Sequence, residues 1–389
     1  MAWLVVLGTT PELSVLELQS LGYAPQWQGG EIASVVTNRP ALDRLGGTIK
    51  IADSIQTLPR SLVGHNTIAD WLLRSVPEDK RWVFGFSVYA GDTTVTKAMI
   101  NDYAKTLQRL ALGWKKQWRA TGRSVRYVSS REPALSSVIV HKEHLLDHQT
   151  DIIMAIYKDH IVVARTTQVQ DYAGFSQRDY GRPERDHHSG MLPPKVARMM
   201  INIACGVNSK DAPTILDPFC GSGTIIQEAL QLGFKNVIGS DISQKCVADT
   251  KTNIAWLRNQ VEALQATPLP ELLKSDILHL HQHIPAHSID LIVTEGYLGP
   301  VQPKQIEKIN QELTALYREV FPVLAKLLKP DGRLIIALPN WKSGNGLLEM
   351  PLNTTITQAG FKVFHQPIIY GRPNAQVLRQ ILFLVANRD

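Results

Sequence analysis

Residues 217–224 carry the strongest chemical signal in this 389-residue chain, and they read Asp-Pro-Phe-Cys-Gly-Ser-Gly-Thr. They follow a short apolar segment typical of a strand and precede a segment typical of a helix. Two glycines at positions i and i+2 let the backbone turn sharply and approach a ligand closely, because they carry no β-carbon. The first amides of the following helix favour a carboxylate or a phosphate. The pattern predicts a ligand-binding turn with these candidates: Asp217, Phe219, Cys220, Gly221, Gly223 and Thr224.

Two further acids narrow the choice of ligand. Asp241 ends the next predicted strand, where an acid can accept both ribose hydroxyls of an adenosine. Asp276 follows a third predicted strand, where its carboxylate could meet the adenine amino group. Acids at three successive strand ends suit an adenosine with a positive sulfonium and repel a pyrophosphate. The chain also lacks a P-loop and a complete Gly-x-Gly-x-x-Gly. S-adenosylmethionine (SAM) is therefore the predicted cofactor, and these residues join its candidate site: Asp241, Ile242, Asp276 and Ile277.

The elements around these residues predict a fold of the α/β class. From residue 193 onward, apolar strand-like segments alternate with helix-like ones, which indicates a mainly parallel, Rossmann-like sheet with helices on both faces. Residues 363–370 and 377–385 form two closing apolar strands, joined by a Gly-Arg-Pro-Asn turn. We therefore expect an antiparallel edge on this sheet.

The N-terminal half has a different pattern of strands and helices. Residues 3–7 and 82–89 are predicted strands, and residues 96–120 form a long predicted helix. Residues 151–157 and 160–166 predict an antiparallel hairpin around Asp159. We expect an α+β, ferredoxin-like module at 1–80 and a second domain at 81–167. A polar linker at 168–190 and a catalytic domain at 191–389 complete the predicted organisation.

Residues 101–131 hold eight Lys or Arg residues and one acid, a local charge of +7 that exceeds the +6 of the whole chain. Such a patch suits a phosphate backbone, since its neutralisation releases counterions. The alternative is a solvated helix face whose interleaved aromatic residues, Trp114, Trp118 and Tyr127, point into the core; both can hold at once. The predicted RNA-binding residues are Lys115, Lys116, Arg119, Arg123 and Arg126.

The motif at 217–224 resembles that of class I methyltransferases that act on amino groups. The resemblance implies an Asp/Asn-Pro-Pro-Tyr/Phe loop after the fourth strand, where oxygens accept hydrogen bonds from an exocyclic amine and the aromatic ring stacks on a flipped base. Here the loop reads Glu295-Gly296-Tyr297, so Glu295 fills the acceptor role and Tyr297 the stacking role. Both prolines are missing, and we expect a less pre-organised loop. Three interpretations stay open: a variant amine site, methylation of another atom, and an inactive RNA binder.

The N-terminal half and the segment around residues 178–195 are similar to those of tRNA guanine-N2 methyltransferases with a THUMP domain. The similarity rests on residues 7–14, 122–126, 134–137 and the run that includes Met191. It implies tRNA as the partner, the N2 amine of a guanosine as the acceptor, and Met191 in the cofactor site. Whether a small activating subunit is needed stays open, as do two rival functions: a DNA amino-methyltransferase acting on adenine N6 or cytosine N4, and an inactive tRNA-binding scaffold.

Composition excludes several other classes of protein. A hydrophobic share of 44% and a charged share of 20% are ordinary for a folded globular protein, which argues against disorder. Three cysteines without Cys-x-x-Cys spacing argue against a disulfide scaffold and a zinc knuckle. His187 and His188 lack a third ligand at zinc spacing, so no metal is predicted. With no bilayer-length apolar run and a first strand in place of a signal peptide, we expect a cytoplasmic protein.

Overall fold

The computed structural model divides the chain into two compact units, Met1–Tyr172 and Ala173–Asp389. The described residues are 2–60, 68–69, 72, 81–147, 150–185, 191–207, 212–300, 305–344, 346–372 and 375–387. Part of the predicted 1–80 module, the histidine pair His187-His188 and the end of the Gly-Arg-Pro-Asn turn lie outside them. Among the described residues, no helix is long and apolar enough to span a membrane.

The first unit is built on one eight-stranded sheet in the order β2-β3-β1-β4-β8-β7-β5-β6. Its strands are β1 (Trp3–Leu7), β2 (Pro25–Trp27), β3 (Ile32–Val35), β4 (Thr48–Pro59), β5 (Trp82–Ala90), β6 (Val125–Val128), β7 (Asp151–Ile156) and β8 (His160–Val169). Its helices are α1 (Pro11–Ser20), α2 (Lys97–Ala120) and α3 (Ser137–Lys142), with a 3-10 turn at Leu42–Arg44. Thr96 caps α2 by accepting a hydrogen bond from the Met99 amide, which fixes where this helix begins.

The predicted boundary at residue 80 does not separate two sheets. β4 pairs antiparallel with β1 on one side and with β8 on the other, so both predicted N-terminal modules share one sheet. The sequence analysis missed β4 because its twelve residues carry Lys50, Asp53 and several other polar side chains. The residues of the predicted 1–80 and 81–167 domains lie in one compact unit, Met1–Tyr172.

A buried ion pair explains why β4 can carry a lysine, Lys50, inside the protein. Lys50 Nζ lies 2.6 Å from Asp151 Oδ2 on β7, and both side chains are almost fully buried. Ser87 and Thr166 also donate hydrogen bonds to the Asp151 carboxylate, each at 2.7 Å. Four strands, β4, β5, β7 and β8, thus meet at one carboxylate, so its charge and its hydrogen bonds are both satisfied.

Substituting one member of this pair is expected to destabilise the protein strongly. Asp151→Asn leaves a buried ammonium group without its counter-charge, which costs about 3–5 kcal/mol of unfolding free energy. The double variant K50M/D151N removes both charges and should recover most of that loss. Urea unfolding monitored by circular dichroism measures both. Equal stability of D151N and the wild type would contradict a structural role for the pair.

The second unit contains an eight-stranded sheet, in which seven strands follow the order β11-β10-β9-β12-β13-β16-β15 and β14 pairs with β13. Its strands are β9 (Thr214–Asp217), β10 (Asn236–Asp241), β11 (Glu271–Lys274), β12 (Ile289–Glu295), β13 (Leu328–Ser343), β14 (Gly346–Leu348), β15 (Phe361–Tyr370) and β16 (Val377–Ala386). Its helices are α4 (Tyr172–Ser176, beginning at the unit boundary), α5 (Pro194–Cys205), α6 (Thr224–Gln231), α7 (Gln244–Gln260), α8 (Ile306–Leu327) and α9 (Asn353–Gln358). A π-helical turn lies at Gln177–Gly181, and 3-10 turns lie at Glu262–Leu264 and Ile277–Gln282.

The direction of these strands confirms the predicted fold class of the C-terminal half. β9 to β13 pair in parallel, whereas β16 pairs antiparallel with β13 and β15 pairs antiparallel with β16. Because the five parallel strands run the same way, their carboxyl ends meet at one edge of the sheet, where ligands bind in this class of fold. Asp217, Asp241 and Glu295 each end one of these strands.

The segment predicted as a linker at 168–190 is largely structured. Residues 168 and 169 belong to β8, and the second unit begins at Ala173 with most of α4. Arg178 and Arg182 are 7% and 3% exposed, although the sequence pattern is polar. Arg178 donates to Glu228 and Arg182 to Thr224, both on α6, so these two arginines pair inside the second unit rather than with solvent.

Candidate active site

The turn after β9 has backbone angles that glycine adopts readily and other residues adopt rarely. Gly221 and Gly223 have φ angles of 52° and 84°, in the left-handed region that disfavours other residues. A β-carbon on Gly223 would lie 2.8 Å from the Thr250 side chain, whereas one on Gly221 would meet no atom within 4 Å. Gly223 therefore lets the turn pack on α7, and Gly221 leaves open space above the turn.

A cavity of about 450 Å³ lies over this turn at the carboxyl ends of the parallel strands. Gly223 does not line this cavity. The other residues proposed from the sequence for the cofactor all line it: Asp217, Phe219, Cys220, Gly221, Thr224, Asp241, Ile242, Asp276, Ile277 and Met191. Glu295 and Tyr297 line the same cavity. The structure thus gathers both predicted sets of residues around one space.

Asp241 and Asp276 are held in fixed orientations by backbone amides. Asp241 accepts hydrogen bonds from the amides of Gly221 and Ser243 at 3.0 and 2.8 Å. Asp276 accepts one from the Leu278 amide at 3.0 Å. Ile242 beside Asp241 is 66% exposed, so an apolar side chain stands next to a carboxylate. This pairing offers an oxygen acceptor for sugar hydroxyls and an apolar contact for a purine ring.

Asp217 is buried beneath the cavity and has a perturbed acidity. The Thr294 hydroxyl and the Phe219 amide donate to the same oxygen, Oδ1, at 2.7 and 3.2 Å. Burial raises the pKa of the Asp217 carboxyl to about 7, and the nearby carboxylates of Asp241 and Glu295 add to the rise. A positive ligand would stabilise the ionised form of this group.

The charges of the residues that line the cavity indicate which ligand the cavity suits. Within the described parts of the chain, its lining contains four acids and no lysine, arginine or histidine: Asp217, Asp241, Asp276 and Glu295. Phosphates would be repelled here, whereas a sulfonium and an ammonium group would be attracted. Cys220 does not supply a nucleophile, because burial raises the pKa of its thiol far above the usual range. The residues therefore fit SAM and not a pyrophosphate.

The loop after β12 is held in place without the two prolines of the motif that it resembles. The Gly296 amide donates to the Ala337 carbonyl at 3.0 Å, and the buried Tyr317 hydroxyl on α8 donates to the Tyr297 carbonyl at 3.0 Å. A β-carbon on Gly296 would lie 2.2 Å from that hydroxyl, so glycine is needed for the contact. The expected loss of pre-organisation is thus offset by Tyr317, which the sequence analysis did not identify.

Arg379 is a second functional candidate that the sequence analysis missed. Its Nε donates a short hydrogen bond to Glu295 Oε1, and both side chains are largely buried. Arg379 lies on β16, 84 residues further along the chain. No local pattern pairs the two, because only the antiparallel docking of β16 on β13 brings Arg379 near Glu295.

A buried arginine supports the other side of the cavity. Arg182 Nη1 donates to Thr224 Oγ1 at 2.7 Å, and Nη2 lies 2.6 Å from Met191 Sδ. Burial lowers the pKa of Arg182 to about 10. Arg178 in the same segment forms an ion pair with Glu228 at 2.5 Å. Arg182 fixes Met191 and Thr224 at the cavity.

The basic patch of the first unit lies on α2 and the segment that follows it. Lys116, Arg119 and Arg126 are exposed, and Lys115 and Arg123 are half-buried. Arg126 also pairs with Glu143 at 2.8 Å. Trp114 and Trp118 are each 4% exposed and pack in the core, so they offer no stacking surface to a nucleic acid. The cations point outward while the tryptophans are buried.

Parts of the chain match families of known methyltransferases. Residues 182–359 match the family of RMKL-like methyltransferase domains, and residues 80–252 match a DNA methylase family. The tRNA (guanine(10)-N2)-dimethyltransferase of Methanothermobacter thermautotrophicus is 30% identical over 195 residues, 50% of this chain and 52% of that protein. The enzyme of the same name from Methanocaldococcus jannaschii is 26% identical over 186 residues, 46% of this chain and 48% of that one. The matches thus span about half the length of these relatives.

A solved structure extends the likeness to the whole chain. TrmN from Thermus thermophilus superposes with a TM-score of 0.57 at 17% identity, covering 99% of this chain and 100% of that one. At this identity the likeness shows the fold. Together, the comparisons confirm the predicted methyltransferase fold, and about half of the chain is similar to the two archaeal tRNA (guanine(10)-N2)-dimethyltransferases.

Proposed function

We propose that this chain is a SAM-dependent methyltransferase that modifies the exocyclic N2 amine of a guanosine in tRNA. The observation that carries the proposal is the acidic cavity, with four carboxylates around one space at the carboxyl ends of parallel strands. Such a site favours an adenosine that bears positive charge. The names of the two archaeal relatives support tRNA and guanine N2 as the acceptor.

In this proposal, the cofactor side of the cavity is formed by residues at the first three strand ends. Asp241 accepts the ribose hydroxyls, Ile242 contacts the adenine ring, and Asp276 accepts from its amino group. Gly221 leaves room for close approach over the turn, and Met191, held by Arg182, covers the opposite side. Asp217 faces the positive charge of the ligand from below.

The acceptor side is formed by the loop after β12. When bound, SAM supplies an electrophilic methyl group. Tyr297, which is 51% exposed, stacks on the extruded base, and Glu295 accepts a hydrogen bond from the amine. That bond directs the nitrogen lone pair at the methyl carbon. As the N–C bond forms and the S–C bond breaks, sulfur keeps the bonding pair, and Glu295 can receive the proton that nitrogen loses.

The test of this function is methyl incorporation into defined nucleic acids. Purified protein with radiolabelled SAM should label tRNA and not duplex DNA, and mass spectrometry should identify the product as N2-methyl- or N2,N2-dimethylguanosine. Incorporation into DNA adenine or cytosine would favour the rival function that the DNA methylase match suggests. That match ends at residue 252, before the acceptor loop, so it supports the cofactor side of the site alone. Binding of tRNA without incorporation would favour the scaffold.

We further propose that the first unit, as a THUMP-like region, holds tRNA by its phosphates in the cytoplasm. The exposed cations of α2 support this, because phosphate contacts give affinity without reading sequence. The buried tryptophans indicate that binding here is electrostatic rather than by stacking.

Charge reversal in this patch is expected to weaken tRNA binding. K115E/K116E removes two phosphate contacts, so affinity at moderate salt should fall about 10-fold or more, and the slope of log affinity against log salt should decrease by roughly 2. Filter binding across a salt series measures both. K142E/K158E, two exposed lysines of the same unit outside the patch, is the matched control. Equal losses in both double variants would contradict a specific RNA-binding surface.

A further inference from the structure

Four acids line the cavity, but in the described structure only one cation pairs with any of them, and it pairs with the acid at the acceptor end. Arg379 Nε donates to Glu295 Oε1. One oxygen of the carboxylate is therefore engaged by the protein. Glu295 also lines the cavity in which an acceptor amine would lie.

The sheet determines why Arg379 can reach Glu295. Glu295 on β12 is paired with Ala337 on β13, and Ala337 is paired with Ile381 on β16. Arg379 lies two residues from Ile381 on the same strand. The side chains of Arg379 and Glu295 therefore point to the same face of the sheet. A long arginine side chain spans the width of β13 from there. The antiparallel edge of the sheet thus delivers a cation to the end of a parallel strand.

We propose that Arg379 is a positioning residue that holds Glu295 as an ionised, correctly aimed hydrogen-bond acceptor for the methyl-accepting amine. The inference rests on the proposed function of this site. Tyr317 fixes the backbone of the loop, and the salt bridge with Arg379 fixes the Glu295 side chain. That side chain is longer than the aspartate or asparagine of the resembled motif, and its loop lacks the two prolines of that motif. The salt bridge also keeps charge balance beside Asp217, whose pKa already responds to Glu295.

The pKa of the Glu295 carboxyl supports the same role for Arg379. Burial raises the pKa of Glu295 above its usual range, while the Arg379 guanidinium opposes that rise. Without Arg379 the carboxyl would hold its proton to higher pH, and a protonated acid would donate a hydrogen bond where an acceptor is needed. An arginine that only stabilised the sheet would change the titration of Glu295 but would leave the pH profile of methylation unchanged.

The first test is the pH profile of tRNA methylation by R379M. Its acid limb should shift upward by about one pH unit or more, because an opposite charge at contact distance moves a carboxyl pKa by that amount. The loss should appear in kcat at pH 6 and shrink at pH 8.5, and R379K should restore part of it. In E295Q, which lacks the carboxylate, adding R379M should cause no further loss. An unshifted profile, or additive losses in the double variant, would overturn the inference.

The second test needs no catalysis. A carboxyl group whose pKa is raised on folding stabilises the folded protein at low pH and loses that contribution as pH rises through the folded pKa. The difference in Tm between the wild type and R379M should therefore widen from pH 5 to pH 8.5. R333M is the matched control, since Arg333 is a β13 arginine that contacts Phe364 and the Ile203 carbonyl instead. Its difference in Tm should not depend on pH, and a constant difference in R379M would refute the inference.

These experiments separate the two levels of the proposal. If the wild-type protein neither binds S-adenosylhomocysteine nor methylates tRNA, the proposed function fails. If the wild type is active and R379M, folded and able to bind S-adenosylhomocysteine, keeps the wild-type pH profile, the role of Arg379 fails while the proposed function stands.

Discussion

Asp217→Asn should make the ligand-free protein more stable at pH 8 and weaken its binding of SAM roughly 10- to 100-fold. A carboxyl group whose pKa rises from 3.8 to about 7 on folding costs the folded state up to about 4 kcal/mol above that pH. Both native hydrogen bonds go to Oδ1, an oxygen that asparagine retains. The substitution therefore removes a buried charge and leaves the bonding intact.

The sign of the pH dependence follows from the direction of the shift. Because the folded pKa is raised, the stabilising contribution of the protonated group is fully present below about pH 4 and is lost as pH rises through about 7. The melting temperatures of the wild type and D217N should therefore converge near pH 4 and differ by several degrees at pH 8. Differential scanning calorimetry across this range measures the gap.

The binding half of the prediction depends on the charge of the ligand. S-adenosylhomocysteine lacks the sulfonium charge, so its affinity should fall less than that of SAM in D217N. Titration calorimetry with both ligands gives the ratio. Asp102→Asn, an exposed aspartate of the first unit, is the matched control and should alter neither quantity. A variant that melts below the wild type at pH 8, or binds SAM equally well, would contradict the role assigned to Asp217.

The cofactor side could be predicted from the sequence because its determinants are local. Asp217 and Asp241 end their strands and Asp276 follows its strand by two residues. Parallel strands end at a shared edge, so three separate segments must meet. The glycines at 221 and 223 adopt the left-handed conformation for which their residue type is suited. Spacing along the chain was sufficient to bring these carboxylates together, although the Thr294 hydroxyl that bonds Asp217 comes from a distant strand.

Other features depend on pairings that spacing does not encode. β4 contains a lysine, a residue type normally found on a protein surface, and the distant Asp151 makes its burial favourable. Arg178 and Arg182 belong to a polar segment whose sequence is typical of a linker. In the structure they donate hydrogen bonds to Glu228 and Thr224. Arg379 reaches Glu295 across β13, and Tyr317 replaces two prolines from a helix. In each case, tertiary contacts override the local polarity on which the sequence analysis relied.

Glu295→Ala is expected to lower kcat for tRNA methylation roughly 100- to 1000-fold, the usual effect of removing one oriented hydrogen-bonding group from a catalytic site. Alanine removes the oxygen that would orient the amine, and it leaves Arg379 without its partner. The cofactor side is formed by other residues, so the Kd of S-adenosylhomocysteine should stay within about threefold. Single-turnover assays with labelled SAM measure the rate, and calorimetry measures the affinity.

Two further variants determine what the Glu295 side chain contributes. E295D keeps the carboxylate but withdraws it by one methylene, so it should retain more activity than E295A and less than the wild type. E271A, at an exposed glutamate at the start of β11, should behave as the wild type. If E295A methylates tRNA at the wild-type rate, backbone oxygens alone must orient the amine. The side chain of the variant loop would then be an element of structure, and its salt bridge with Arg379 would serve the sheet rather than the reaction.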